Sequence, residues 1–278
     1  MVQVLALVTL LWPPGPGRSE GYCEIGGRSQ VLKTPVVSPV ACLTDLQDRI
    51  VRVRTLTGFR FDSSAKGQVV YTYTHGSGVL ISSDGTIATA HHLVRNWNKV
   101  PEGRREVAVL FHGSNHFIPV DVIAEDSRAD LALVRVNPRA LPFQKWFEIQ
   151  KGSPPKEGRS FVIGIRAETP DVSFEIGIIE GQFVDQENRL KDLYAGDGES
   201  RGPWACISQK IFPGYSGGAI LDAAGQLAGI VTGAPELKGD WRGFSFGISA
   251  SAIDRLLTRA QAMNRESVGG VSKSYETQ

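Results

Sequence analysis

The chain has little sulfur and almost no net charge. It holds two methionines and three cysteines in 278 residues, and 30 basic side chains stand against 29 acidic ones. Cys23, Cys42 and Cys206 show no Cys-x-x-Cys spacing, which argues against a structural zinc site. A formal charge of +1 supplies no basic face, so nucleic acid is not an expected partner. The apolar run Val4–Trp12 is too short to span a bilayer, and no later segment qualifies, so no integral membrane span is expected. No repeat of 20–50 residues is present. Helical periodicity is scarce. One amphipathic segment stands out, Ala250 to about Met263, with Ala252, Ile253, Leu256, Leu257 and Ala260 on one face.

What is present reads as β-structure. Apolar residues make up 41% and charged residues 21%, so the chain is expected to be globular. Thirty-one glycines and 15 prolines imply many turns between short strands. Strand-like runs fall at Arg49–Thr57, Gln68–Thr74, Gly78–Ser82, Thr86–Ala90, Glu106–Phe111, Phe117–Glu125 and Leu131–Val136. A second group falls at Ser160–Ile165, Ser173–Phe183, Ala205–Lys210, Ala219–Leu221, Gln226–Thr232 and Gly243–Ser249. The Pro/Gly-rich stretch Lys151–Gly158 divides the two groups. Two closed barrels would bury both without leaving long sheet edges. The expected fold is therefore all-β: two six-stranded antiparallel β-barrels, residues 48–150 and 151–263, with a cleft between them and a short C-terminal helix. Residues 264–278 are polar and read as a disordered tail.

Residues 1–22 resemble a signal peptide, an apolar core followed by a Pro/Gly break at Pro13–Gly17. Export to a secreted or periplasmic location is the expectation. A cytoplasmic location stays open, because no Lys or Arg precedes the core and no small-x-small cleavage site follows it. In residues 23–47, an N-terminal extension, Cys23 and Cys42 would be free to pair after export. Cys206 sits in a strand-like run and reads as a small buried hydrophobe.

The chemistry centres on Phe212-Pro213-Gly214-Tyr215-Ser216-Gly217-Gly218. A serine hydroxyl is a weak nucleophile unless a base takes its proton and a third group holds that base. The glycines around Ser216 allow a tight turn in which the N–H groups of Gly214 and Ser216 can converge on an oxyanion. His92, in Thr-Ala-His-His, is the candidate base, and Asp130, in Ala-Asp-Leu-Ala, the candidate orienting acid. Each has a competitor. His91 and His92 would point to opposite faces of a strand, so one alone can face the cleft. Asp126 lies in a more polar stretch than Asp130, which opens an apolar run. His112 and His116 lie across a turn and read as solvated, so neither metal nor cofactor is expected. Chain order then decides among folds. Gly-Tyr-Ser-Gly-Gly also fits a nucleophile elbow, but that fold needs a histidine after the serine, and all five histidines precede it.

These segments resemble the trypsin-like serine proteases, and more closely their HtrA/Deg branch. Gly76-Ser77-Gly78-Val79 leading to Thr89-Ala90-His91-His92, Ala129-Asp130-Leu131-Ala132, Pro213–Gly218, Gln226–Val231 and Phe246-Gly247-Ile248 match that branch in order. The resemblance implies a His-Asp-Ser triad, an acyl-enzyme mechanism and polypeptide substrates. It also implies a pocket near Thr232, Gly233 and Ala234, with Lys210 where trypsin-like enzymes place the pocket base. Tyr215 departs from the family, which carries asparagine or aspartate there. Without that aspartate, activation by insertion of a new N-terminus is not implied. Little sequence follows the closing helix, so a PDZ domain is not expected. The bulk of Tyr215 keeps a second reading in play: a protease-fold binding or chaperone-like module with little hydrolysis. An esterase using the same residues would look identical in sequence.

Overall fold

The computed structural model describes residues 22–25, 28–31, 46–62, 68–95, 100–101, 105–142, 145–167, 174–194, 202–233 and 244–271. The signal-like core, Cys42, Ala234 and the last seven residues lie outside this set. A short hairpin, β1 (Tyr22–Ile25) with β2 (Arg28–Val31), precedes two antiparallel sheets. The first contains β3 (Ile50–Asp62), β4 (Gln68–Leu80), β5 (Thr86–Ala90), β6 (Val107–Phe111), β7 (Ile118–Pro119), β8 (Asp121–Asp126) and β9 (Leu131–Arg135). Its strand order is β7-β6-β3-β4-β5-β9-β8. The second contains β10 (Arg159–Ile165), β11 (Ile176–Gln182), β12 (Trp204–Ile207), β13 (Ala219–Leu221), β14 (Leu227–Gly233) and β15 (Ser245–Ser249), in the order β11-β10-β13-β14-β15-β12.

The first sheet thus has seven strands where six were expected. Two sequence runs, Gln68–Thr74 and Gly78–Ser82, fuse into the single strand β4. Another, Phe117–Glu125, splits at Val120 into β7 and β8. The split has a purpose in the topology. β7 pairs with β6 at one edge and β8 pairs with β9 at the other, so one bent segment curls the sheet back on itself. The second sheet is drawn together where Phe183 bridges Ile207, with Ser208 N–H donating to the Gln182 carbonyl at 2.8 Å.

Alternation along the strands sorts side chains between cores. In the first sheet Val51, Val53, Leu80, Ile87, Ala132 and Val134 face one core. Their neighbours Ile50, Val79, Ala88, Leu131 and Leu133 face the other way and meet Phe161, Ile163, Ala219, Ile230 and Ile248 of the second sheet. The two halves therefore share an apolar seam, closed on its far side by Ile253 and Leu256 of the last helix. Strands buried on both faces read as continuous apolar runs, as β6 and the first four residues of β9 do.

The sheets carry the helices α1 (His91–Val94), α2 (Glu187–Tyr194) and α3 (Ala250–Val271). The polar segment of α2 gave no periodic signal. It is held by buried Leu190 and a Lys191–Glu187 pair one turn apart at 3.2 Å. α3 runs past the expected end at Met263 into the stretch read as a disordered tail. No proline interrupts it, and Gly269-Gly270 comes only at its close. Burial pushes the Cys206 thiol up to about 12, so it is inert at neutral pH. No helix among the described residues is long and apolar enough to cross a membrane.

Candidate active site

β5 ends at Ala90, and the chain turns at once into α1 rather than continuing as a strand. His91 and His92 are thus neighbours on a helical turn, about 100° apart, not on opposite faces of a strand. Buried Leu93 and Val94 hold the turn in place. The first N–H groups of any helix lack partners within it. Here Asp130 supplies them: its main-chain carbonyl accepts from His91 N at 3.0 Å, and its Oδ1 accepts from His92 N at 2.8 Å. Its other oxygen, Oδ2, meets His92 Nδ1 at 2.8 Å. One carboxylate therefore fixes both the backbone and the ring of His92. Asp130 does this from the left-handed region, at φ 50°, a conformation that aspartate tolerates better than most residues.

The competitors have other partners. Asp126 Oδ1 accepts from Ala129 N at 3.1 Å, bracing the turn that presents Asp130, and Oδ2 accepts from Arg259 of α3 at 2.6 Å. Burial raises the Asp126 carboxyl, but these bonds outweigh it and hold the group below its ordinary value. His91 Nε2 lies 3.6 Å from Glu125 Oε1.

Ser216 sits in a turn whose carbonyls are pinned one after another. Pro213 O accepts from Ala167 N at 3.1 Å and Tyr215 O from Gly218 N at 2.8 Å. Gly214 O accepts from Ser77 Oγ at 2.7 Å and Ser216 O from Ser77 N at 2.8 Å. In a trans peptide the N–H points opposite the carbonyl. Pinning Pro213 O and Tyr215 O therefore turns the N–H groups of Gly214 and Ser216 outward. Among the described residues neither donates to an acceptor, whereas the N–H groups of Tyr215, Gly217 and Gly218 are all taken. The turn needs φ 93° at Gly214 and φ 82° at Gly217. A Cβ at Gly217 would run into the Ser77 carbonyl.

The two parts of the site meet across Gly76. A Cβ there would lie against the Leu93 side chain and 2.9 Å from Ser216 O, so the residue after His92 and the Ser216 backbone share one contact point. His92 and Asp130 are bonded directly. The Ser216 hydroxyl makes no hydrogen bond to another described residue, a state common in unliganded sites, where such bonds tighten on binding.

Tyr215 does not crowd the turn. Its side chain is 2% exposed and drops into the second core with Val162, Ile207, Ile220 and Val231. Two glycines make the slot. A Cβ at Gly164 would lie 2.8 Å from the ring, and one at Gly177 would collide with the hydroxyl. Burial pushes the phenol pKa up; nearby Arg166 lowers it and Glu175 raises it, leaving it above the ordinary value. Isolated glycines inside β10 and β11 were the sequence signal for this close approach, and it went unread. Ser77 was also missed as a site residue, although its flanking glycines mark a crowded strand.

Three of the four expected pocket residues fall within the described set. Lys210 is exposed beyond β12. Thr232 is buried, and its hydroxyl donates to the Phe246 carbonyl at 3.3 Å. Gly233 closes β14 at a register shift against β15. Among the described residues no cluster of His, Cys, Asp or Glu could hold a metal.

Known proteins bear on this geometry. The trypsin-like peptidase domain matches residues 76–230, more than half of the sequence. The chain belongs to the trypsin-like peptidase domain family. The match begins at the Gly76-Ser77-Gly78 strand and ends within β14, so it encloses His92, Asp130 and Ser216. Among curated proteins, a probable periplasmic serine endoprotease, DegP-like, from Chlamydia pneumoniae is 26% identical over 192 residues, covering 66% of this chain and 33% of the relative. One of the same description from Pseudomonas savastanoi is 27% identical over 199 residues, covering 71% and 37%. The chain thus spans about a third of the length of these relatives. Among solved structures, the serine endoprotease from Yersinia pestis superposes with a TM-score of 0.52 at 19% identity, covering 77% of this chain and 63% of that one. That likeness supports the trypsin-like fold.

Proposed function

We propose that this chain is a serine endopeptidase that cuts polypeptides through an acyl-enzyme intermediate. His92 takes the Ser216 proton as the hydroxyl attacks the scissile carbonyl, then delivers it to the leaving amine. Asp130 holds the Nδ1–H tautomer and favours the imidazolium as it forms. The outward N–H groups of Gly214 and Ser216 receive the oxyanion. Water enters by the same route in reverse and frees the product acid. The observation that carries the reading is the doubly bonded Asp130, with 2.8 Å contacts to both the ring and the backbone of His92.

Substrate would lie along the end of β14, with Thr232 and Gly233 offering strand-like hydrogen bonds. An exposed Lys210 would favour an acidic residue near the cleavage site. The periplasmic description of the relatives and the signal-like start support a secreted or periplasmic location. The binding-module reading rested on the bulk of Tyr215, and that bulk is housed in the second core rather than in the turn. A fluorophosphonate probe should label wild type at Ser216 and leave Ser216→Ala unmarked. Peptidase activity retained by purified Ser216→Ala would overturn the proposal.

A further inference from the structure

We infer that Ser77 is a positioning residue for the oxyanion site: a hydroxyl of the first half that sets the peptide geometry of the nucleophile turn in the second. This role rests on the endopeptidase reading above. Ser77 lies on β4 and is fully buried. Its Oγ accepts from Ile165 N at 2.8 Å and donates to Gly214 O at 2.7 Å. Because Ile165 occupies it as an acceptor, the hydroxyl proton is directed at the Gly214 carbonyl. Its own N–H donates to Ser216 O at 2.8 Å, and its carbonyl accepts from Thr89 Oγ1 at 2.7 Å.

Of the four pinned carbonyls from Pro213 to Ser216, two are held from within the second half, by Ala167 N and Gly218 N. Ser77 holds the other two. The contact at Gly214 O matters most, because glycine at φ 93° has the widest torsional freedom in the turn. Pro213 O and Gly214 O lie on the two peptides flanking its Cα. With both held, the torsions at Gly214 are fixed, and its N–H keeps one direction relative to the Ser216 N–H. With the Ser77 hydroxyl gone, the Gly214–Tyr215 peptide keeps only its Tyr215 N–H bond to Phe212 O at 3.2 Å. That peptide joins the two donor-bearing ones, Pro213–Gly214 and Tyr215–Ser216, so its release loosens the angle between the Gly214 and Ser216 N–H groups even though each donor peptide keeps its own carbonyl bond. An oxyanion donor acts on the transition state and little on the ground state, so its misdirection lowers kcat and spares KM.

The test uses the full chain as wild type, Ser77→Ala and Ser77→Thr, the last retaining the hydroxyl. Active sites are counted with the fluorophosphonate probe at saturation. Kinetics are measured on a fluorogenic peptide chosen from wild-type cleavage of denatured casein, and affinity is measured for the matching peptide aldehyde, which forms a tetrahedral adduct. For Ser77→Ala we expect kcat per titrated site to fall roughly 10- to 100-fold, with KM within about twofold. Aldehyde affinity should fall in parallel, and Ser77→Thr should recover most of both. A merely structural role would lower the melting temperature and the number of titratable sites but leave kcat per site unchanged. That result, or wild-type aldehyde affinity in Ser77→Ala, overturns the assignment. If Ser77→Ala does not fold, Ser77→Cys takes its place: reduced kcat at constant KM supports the role, and wild-type kcat refutes it. A wild type that resists the probe sinks the endopeptidase reading itself. A wild type that reacts, beside a Ser77→Ala that reacts equally fast, sinks the Ser77 role alone.

Discussion

The two halves of the molecule hold their contributions to the site by opposite means. In the first half the geometry is set by side-chain chemistry: Asp130 reaches across to cap α1 and orient the His92 ring. In the second half it is set by the main chain. The Ser216 turn depends on glycines at positive φ and on carbonyls that are each held by a donor. Side-chain placement of this kind survives changes in the surrounding backbone but not the loss of one carboxylate. Backbone placement tolerates little extra volume anywhere near the turn.

This contrast can be broken at either end. The largest effect is expected for His92→Ala, which removes the proposed base: kcat should drop on the order of 10⁶-fold, read with the fluorogenic peptide. Asp130→Asn should keep the fold and the cap to His92 N but present the wrong partner to Nδ1, with a loss of roughly 10⁴-fold in kcat. The second half should respond to volume instead. Gly177→Ala, which drives a Cβ into the Tyr215 hydroxyl, is expected to cost about 1–3 kcal/mol by denaturant unfolding. It should also lower kcat, since Tyr215 is the residue between the two outward N–H groups. The smallest effect belongs to Arg259→Ala, about 0.2–1 kcal/mol for a largely exposed pair. Asp126 sits below its ordinary 3.8 when folded, so its contribution is present above that value and lost as pH falls through the folded value. The stability gap between wild type and Arg259→Ala should therefore be constant near neutrality and vanish once pH falls below the folded value.

The candidate site residues were readable in the sequence because their motifs occur in one order and all five histidines precede the serine. The sequence made the two-half β architecture readable because buried strands carry continuous apolar runs. It misled at His91-His92, where local pattern extends β5 and only a partner 38 residues away turns the chain into a helix. It misled at Phe117–Glu125, where one apolar run serves two sheet edges. Tyr215 looked like an obstacle because a single sequence does not reveal that Gly164 and Gly177 stand opposite it. Ser77 was hidden for a related reason: a hydroxyl inside a strand motif gives no hint that its partners lie 88 and 137 positions further on.

One tie runs against the order in which the polypeptide is made. Arg259, on α3, grips Asp126 at the turn that carries Asp130 of the earlier half. A ribosome must release both halves and α3 before that grip can form, so the half synthesised first is braced only after the second is made.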